Sequence, residues 1–278
     1  MTGDPIRDAI RARFGDDRGV SAEGLDAPAR AGLARLLDRR ACRDYAGEPV
    51  PEGLVRLLIC AGLAAPTKSD LQQADIVWVR DAGLRAALTE GIPGADWIAR
   101  APVFLVVCAS GARLASLFEG ADFPNDHFDA LFNATVDAAV VLEALVAAAT
   151  LAGLGTCPIS VIRNRAARVS EILGLPDRVF PVAGLCMGHA AGTAPISPRL
   201  DLGITVHENR YEAQAFARLA PAHDARRMRD APYARQRAPE RFGTAEVYGW
   251  REDKRRQYAV PQRTDFGAFL RRKGFSFA

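Results

Sequence analysis

The stretch from Leu131 to Arg165, LFNATVDAAVVLEALVAAATLAGLGTCPISVIRNR, constrains the fold more than any other part of the chain. Between Val136 and Leu151 only Asp137, Glu143 and Thr150 interrupt the apolar residues. Apolar side chains on every face predict a helix buried all round rather than an amphipathic surface helix. A membrane span needs about 20 apolar residues, and this run is shorter, so it reads as a core or subunit-interface helix. Gly153 and Gly155 are expected to end it, because glycine takes the left-handed cap conformation without steric cost. The short, β-branched stretch 156–162 follows and stops at Arg163. A rigid helix thus delivers a small-residue loop to one place.

A chain of 278 residues, 49% of them hydrophobic, suffices for one large core with or without appendages. Charge is unevenly placed. From Arg218 onward there are 15 Lys and Arg against 7 Asp and Glu, while the rest carries an acidic excess. A basic tail on an acidic body points to an anionic partner or to a solvated Arg-rich arm. The five cysteines form no CxxC, their number is odd, and four sit among apolar neighbours, so they read as small buried hydrophobes rather than a disulfide framework. His127, His189, His207 and His223 lack metal-ligand spacing, and no metal site is expected. The polar N-terminus has no apolar core of a secretory signal. These features predict a soluble, cytoplasmic protein with no membrane or nucleic-acid partner.

In chain order, residues 1–27 read as an N-terminal arm containing a short helix, 28–217 as the main domain, and 218–278 as a basic C-terminal extension. Pro28 opens a helix that runs into Arg39, Arg40 and Arg43, three arginines in five residues. They suit either a helix C-terminus or an anion site. If the segment is extended, Arg39, Ala41 and Arg43 share a side. Pro51 starts another helix, and residues 65–73 form a loop of hydroxyls, amides and one Lys, suited to the polar edge of a ring or sugar or to an ordinary turn. Strands are predicted at 76–79, 103–108 and 179–187, and helices at 82–89, 165–173 and 211–219. Phe118, Phe123 and Phe128 lie in a weakly patterned stretch that reads as a mobile loop or lid. After Pro221 no strong period returns until residues 266–270, and the tail's arginines and aromatics suggest an arm wrapped over another surface. The alternation of helices with a few short strands indicates an α/β or α+β domain. No GxGxxG, P-loop or GxSxG is present, and no side-chain nucleophile or general base can be picked out. That pattern fits chemistry carried by a cofactor.

Five segments taken together resemble the flavin-dependent nitroreductase family, in its NADPH-linked, oxygen-insensitive branch: RRACRDYAGEPV (39–50), APTKSDLQQADIV (65–77), VDAAVVLEALVAAATLAGLG (136–155), LGLPDRVFPVAGLCMGHA (173–190) and SPRLDLGITVHENRY (197–211). The resemblance implies an α+β fold, a central mostly antiparallel sheet surrounded by helices, in an interlocked homodimer that binds FMN. It implies that Arg39 and Arg199 meet the FMN phosphate, with Arg40 and Ala41 beside them, and that Arg43 lies near the N1/O2 edge of the ring. Ala41 replaces the family's serine, and Ser197 replaces a lysine. Thr67, Lys68, Ser69 and Gln72 correspond to the loop that contacts FMN across the dimer, where Asp70 stands in place of the usual asparagine. Pro158, Ile159, Ser160 and Val161 correspond to the loop under the reactive edge, with backbone N–H groups of Ser160 and Val161 near N5 where the family carries glycines. Arg163, with Phe123 and Phe128, would meet the cosubstrate. The implied reaction passes hydride from NADPH or NADH through FMN to an electron-poor acceptor such as a nitroaromatic or quinone, in ping-pong fashion. Two other readings stay open: a flavin-binding redox-sensing or interaction module that uses the basic tail, and a dimer that has lost FMN.

Overall fold

The computed structural model describes residues 4–92, 94–119 and 121–278. Met1, Thr2 and Gly3 of the expected arm, Pro93, and Gly120 of the aromatic loop lie outside the described residues. In chain order the elements are α1 (Pro5–Phe14), α2 (Ala27–Asp38), α3 (Glu52–Leu63), β1 (Ala74–Trp78), α4 (Ala82–Thr89), α5 (Asp96–Arg100), β2 (Val103–Ser110), α6 (Ala112–Ser116), α7 (Phe128–Leu151), β3 (Gly155–Ile159), α8 (Ala166–Ile172), β4 (Val179–Gly188), α9 (Leu202–Thr205), α10 (Ala215–Asp230), α11 (Pro239–Phe242), α12 (Trp250–Tyr258) and α13 (Phe266–Arg272). Compactness divides the chain into two units, each discontinuous in sequence. A flanking unit comprises Met1–Arg40 and Ala194–Pro261, and a sheet unit comprises Ala41–Thr193 and Gln262–Ala278.

The sheet unit is an α+β layer structure. Its four strands run in the order β1-β2-β4-β3, every pairing antiparallel. β2 and β4 are buried along their whole length, which is why they read as unbroken apolar runs. One sheet face packs Leu105, Val107, Leu185 and Met187 against α7 and α3. The opposite face buries Phe104, Val106 and Cys186 under Ile98 and Ile162. Burying side chains of this size is worth about 1.5–3 kcal/mol each. Cys108, Cys157 and Cys186 are buried, as their apolar neighbours suggest, whereas Cys60 is exposed despite apolar neighbours and Cys42 is buried despite the arginines around it.

Helix α7 differs from the expected all-round burial. It is 24 residues long, so by length and composition alone it could cross a membrane, yet it packs on the sheet and on α3. Leu131, Ala134, Ala138, Val141, Leu145 and Ala149 face that core, while Phe132, Val136, Val140 and Leu151 are exposed. The apolar surround therefore serves two faces, and the chain itself covers one of them. The end of the helix also differs from expectation. Gly153 takes φ +81° beyond the last turn, as a left-handed cap should. Gly155 instead begins β3, and it is small because a Cβ there would come within 2.7 Å of the Cys42 side chain. The extended stretch predicted to reach residue 162 stops at Ile159, where a 3₁₀ turn over Val161–Arg165 takes over.

Among its described residues the flanking unit has no sheet. Asp4 caps α1 by accepting from the Ile6 N–H, and α1 packs on α2. Helix α10 runs through Pro221 to Asp230, beyond the 211–219 helix predicted from the pattern. Its second half is polar, and side-chain bonds hold it. Buried Asp224 accepts from the Arg251 N–H at 3.0 Å and from Arg251 Nε at 2.5 Å. Buried Asp253 on α12 accepts from Arg237 Nε, the Tyr248 hydroxyl and Lys254 Nζ. Much of the basic tail's charge is thus used inside this unit, with Glu252 binding Arg255 and Arg256 and held down to about pKa 2 by those two hydrogen bonds.

Candidate functional site

In the flanking unit Arg39 and Arg40 follow one another at the end of α2. Arg39 is the C-cap residue and leaves the helix extended, at φ −53° and ψ +135°. Its Nη1 is buried and has no hydrogen-bond partner among the described residues. A buried donor of this kind is costly unless something accepts from it. Arg40 is differently occupied: Nη1 donates to the Ala194 carbonyl at 3.0 Å and Nη2 to Asp38 at 2.8 Å, leaving only its buried Nε without a partner. Arg199 is exposed, and its carbonyl accepts from Arg226 Nη2. A fourth arginine, not singled out by the sequence reading, joins them. Arg13 is buried, and burial, then the charges of Arg199 and Arg39, hold its guanidinium below the usual range, with Asp38 opposing. Arg13 and Arg40 are largely committed to carbonyls and to Asp38, so the donors left for an anion such as a phosphate monoester are those of Arg39 and the exposed Arg199.

The sheet unit gathers the other expected residues along β3 and beside α7. Ala41 bridges to Thr156, and the Cys42 N–H donates to the Thr156 carbonyl at 2.9 Å, so the segment after Arg40 runs against β3. Arg43 is exposed, with its guanidinium 5.9 Å from the Trp97 ring centroid. Of the four residues assigned to the ring's reactive edge, Pro158 and Ile159 belong to β3, paired with Leu185 and Gly184. Proline has no N–H to donate, and Ser160 and Val161, which do, open the 3₁₀ turn. Glycine is dispensable at residue 160 because φ is −90° there.

Arg163, which the resemblance assigns to the cosubstrate, has a guanidinium nitrogen committed within the fold. It is half-buried and donates to the Val182 carbonyl, and burial lowers its pKa. The cation beside Ser160 is Arg263, which donates to Asn164 at 2.7 Å and to the Ser160 hydroxyl at 3.4 Å. Arg263 is 100 residues from Arg163, and only the chain's return after α12 brings it here. The aromatic stretch is ordered by contacts. Phe123 stacks on Phe118 with centroids 4.8 Å apart and faces Arg178, while Phe128 begins α7 beside Phe277.

The loop 65–73 is built around Asp137, the buried acid of the apolar run. Its buried carboxylate accepts from the Thr67 hydroxyl at 2.5 Å, the Lys68 N–H at 2.9 Å and the Gln73 N–H at 3.2 Å. Thr67 in turn accepts from the Gln72 N–H at 2.8 Å. These bonds hold Ser69, Asp70 and Gln72 in the left-handed region, at φ +51°, +57° and +50°. The Thr67 hydroxyl proton is therefore spent on the loop itself, whereas Lys68, Ser69 and Asp70 stay exposed. A cleft of ≈ 400 Å³ opens here, lined by Thr67, Gln72, Asp75, Arg113 and the buried Gln73, whose Nε2 lacks a partner. The signal for this anchor was visible in the sequence, as an acid with no business in an all-apolar helix other than to be satisfied.

The nitroreductase family pattern matches residues 36–189, and the pattern of that family's C-terminal domain matches 197–278. The chain belongs to the nitroreductase family. Among family relatives, the FMN reductase [NAD(P)H] of Bacillus subtilis is 34% identical over 183 residues, covering 64% of this chain and 74% of that protein. The oxygen-insensitive NADPH nitroreductase of Salmonella typhimurium is 33% identical over 177 residues, 64% of this chain and 73% of its own. The structure of the NADPH:FMN oxidoreductase from Vibrio harveyi complexed with NAD+ superimposes with a TM-score of 0.76 at 27% identity, over 87% of this chain and 97% of that one. The family resemblance carried by the five sequence segments is thus established, and so is the antiparallel-sheet α+β fold.

Proposed function

We propose that this chain is an NAD(P)H-dependent FMN oxidoreductase of the nitroreductase type. The observation that carries the reading is the buried, partnerless Nη1 of Arg39, standing among further arginines in a chain of this family. We assign the FMN phosphate to Arg39 and Arg199, with Arg40 beside them. In the sheet unit we assign Ala41, Arg43, Lys68, Ser69, Gln72 and the turn at Ser160 and Val161 to the ring. Bound FMN supplies the hydride-accepting and hydride-donating chemistry, so the chain's residues need only position and polarise. A cation such as Arg43 at the N1/O2 edge favours the reduced, anionic ring. Backbone N–H groups at Ser160 and Val161 donate without any side chain being required. NAD(P)H and an electron-poor acceptor, such as a nitroaromatic or quinone, use one site in turn, which makes the kinetics ping-pong. NADPH is favoured as donor because its additional phosphate suits an Arg-rich protein.

The functional species is a cytoplasmic homodimer. What supports this is the apolar stripe Phe132, Val136 and Val140, four residues apart on the exposed face of α7, with Leu57 and Leu63 of α3 also exposed. A Val136→Asp variant that runs as a monomer would agree with that placement, and one that stays dimeric would refute it. The phosphate assignment is tested by titrating apo-protein with FMN and with riboflavin, which lacks the phosphate. Arg39→Ala should weaken FMN about 10- to 100-fold, the loss of one or two charge-assisted hydrogen bonds, and leave riboflavin unchanged. Equal FMN affinity in the variant would overturn the assignment.

A further inference from the structure

We infer that Arg13, from the N-terminal helix α1, is a positioning residue for the phosphate end: it ties together the two backbones from which Arg39 and Arg199 project. The inference rests on the assignment of those two arginines to the FMN phosphate. Arg13 Nε donates to the Leu37 carbonyl at 2.8 Å, and its Nη2 donates to the Arg39 carbonyl at 2.5 Å. Its own carbonyl accepts from the Arg199 N–H at 2.6 Å. One residue on α1 therefore reaches two segments far from it in sequence, the end of α2 and the backbone at Arg199, and it is only 7% exposed.

The chemistry of each contact suits support rather than direct binding. The last carbonyls of a helix lack intrahelical donors, and the end of α2 presents those of Leu37 and Arg39. A guanidinium spans two such acceptors with a rigid fork, and a cation at a helix C-terminus is favourable. Two of the guanidinium's three nitrogens are committed in this way, so the charge that remains available to an anion sits on Arg39 and Arg199. The surroundings of Arg13 keep it in place. Gly15 closes α1 at φ +87°, and a Cβ there would meet Arg226 Cδ at 2.8 Å. Arg226, admitted by that glycine, donates to the Arg199 carbonyl and so holds Arg199 from its other polar atom. The backbone of Arg199 is thus bonded at N–H by Arg13 and at C=O by Arg226, leaving its exposed side chain as the part free to engage a ligand.

A residue that merely stabilised the fold would affect all flavins alike. A residue that orients the phosphate arginines affects FMN and spares riboflavin, and this separates the two roles. Full-length apo-protein, as wild type, Arg13→Met and Arg13→Lys, is titrated with each flavin by fluorescence quenching. Methionine keeps the apolar stem in place of the buried one, and lysine keeps the charge without the fork. FMN should bind about tenfold more weakly to Arg13→Met while riboflavin stays within about twofold, and Arg13→Lys should recover only part of the loss, because a point charge serves one carbonyl well and not two. A folded Arg13→Met or Arg13→Lys protein with the full wild-type preference for FMN would overturn the inference alone. A wild type that binds FMN and riboflavin equally would overturn the phosphate assignment itself, and this inference with it.

Discussion

The two units of this protein stabilise themselves by different means. In the sheet unit, β2 and β4 are buried end to end, and Leu105, Leu145, Leu185 and Met187 are wholly inaccessible. In the flanking unit the buried set includes Arg13, His223, Asp224, Asp253 and Arg256, and the contacts that matter are guanidinium to carbonyl or carboxylate. Dispersion and the hydrophobic effect tolerate no gaps but need no particular angle. Charged hydrogen bonds need geometry, and they place charge where a ligand is to be met. The sheet unit is held by apolar packing, whereas the flanking unit is held by a network of arginines and acids.

This contrast is broken most severely from the sheet side. Leu145→Ala on α7 should cost about 2–5 kcal/mol in denaturant unfolding, since the side chain is fully buried against Gly62 and cannot be replaced by a local collapse. Asp137→Ala comes next. It removes the acceptor for Thr67, Lys68 and Gln73 and should cost about 1.5–3 kcal/mol, together with a loss of FMN affinity as the loop relaxes; unchanged stability would mean that the left-handed loop holds itself. Arg163→Ala should cost about 1–3 kcal/mol, because it strips a buried donor from the Val182 carbonyl. Arg263→Ala, at the exposed cation beside Ser160, should stay within about 0.5 kcal/mol of wild type in stability and change only the kinetics with anionic cosubstrates. The reverse ranking of these two would restore Arg163 to the cosubstrate role.

An effect seen only at acid pH sharpens the flanking side. His223 is buried edge-on against Trp250, and burial followed by the charge of Arg226 lowers its pKa, with Asp224 opposing and Arg227 reinforcing. The folded value lies below the unfolded one, so the stability that neutral His223 contributes is present above the ordinary histidine range and is lost as pH falls through it. His223→Gln should flatten the acid limb of the stability profile below about pH 6.5, by no more than about 1.4 kcal/mol per pH unit. An unaltered acid limb would mean that His223 does not differ between folded and unfolded states.

How legible all this was differs by unit in the same way. The strands β2 and β4 are legible as apolar runs because both of their faces are buried, and α7 is legible as a long run that only Asp137, Glu143 and Thr150 interrupt between residues 136 and 151. The caps were readable too, as with Gly153. What the sequence hid were partnerships over distance. Helix α10 continues through Pro221 because Arg251, 27 residues on from Asp224, satisfies that buried acid, and no local period records it. Arg163 follows the loop where a cosubstrate arginine was expected, yet its side chain turns under the sheet to Val182, a choice made by packing. Arg13 looked like one more polar residue in an N-terminal arm, since its three partners lie elsewhere in the chain. The pattern of α7 states only that all its faces are apolar, and not that one of them is left uncovered by the chain itself.

The most direct test of the central claim is anaerobic mixing of the purified protein, loaded with FMN, with NADPH and separately with NADH, while the flavin absorbance is followed. The account predicts that the chromophore has the mass of FMN, that NADPH bleaches it faster than NADH, and that a nitroaromatic or quinone added afterwards restores the colour. A protein that retains no flavin after FMN is supplied, or bound FMN that stays oxidised with both nucleotides, would contradict it.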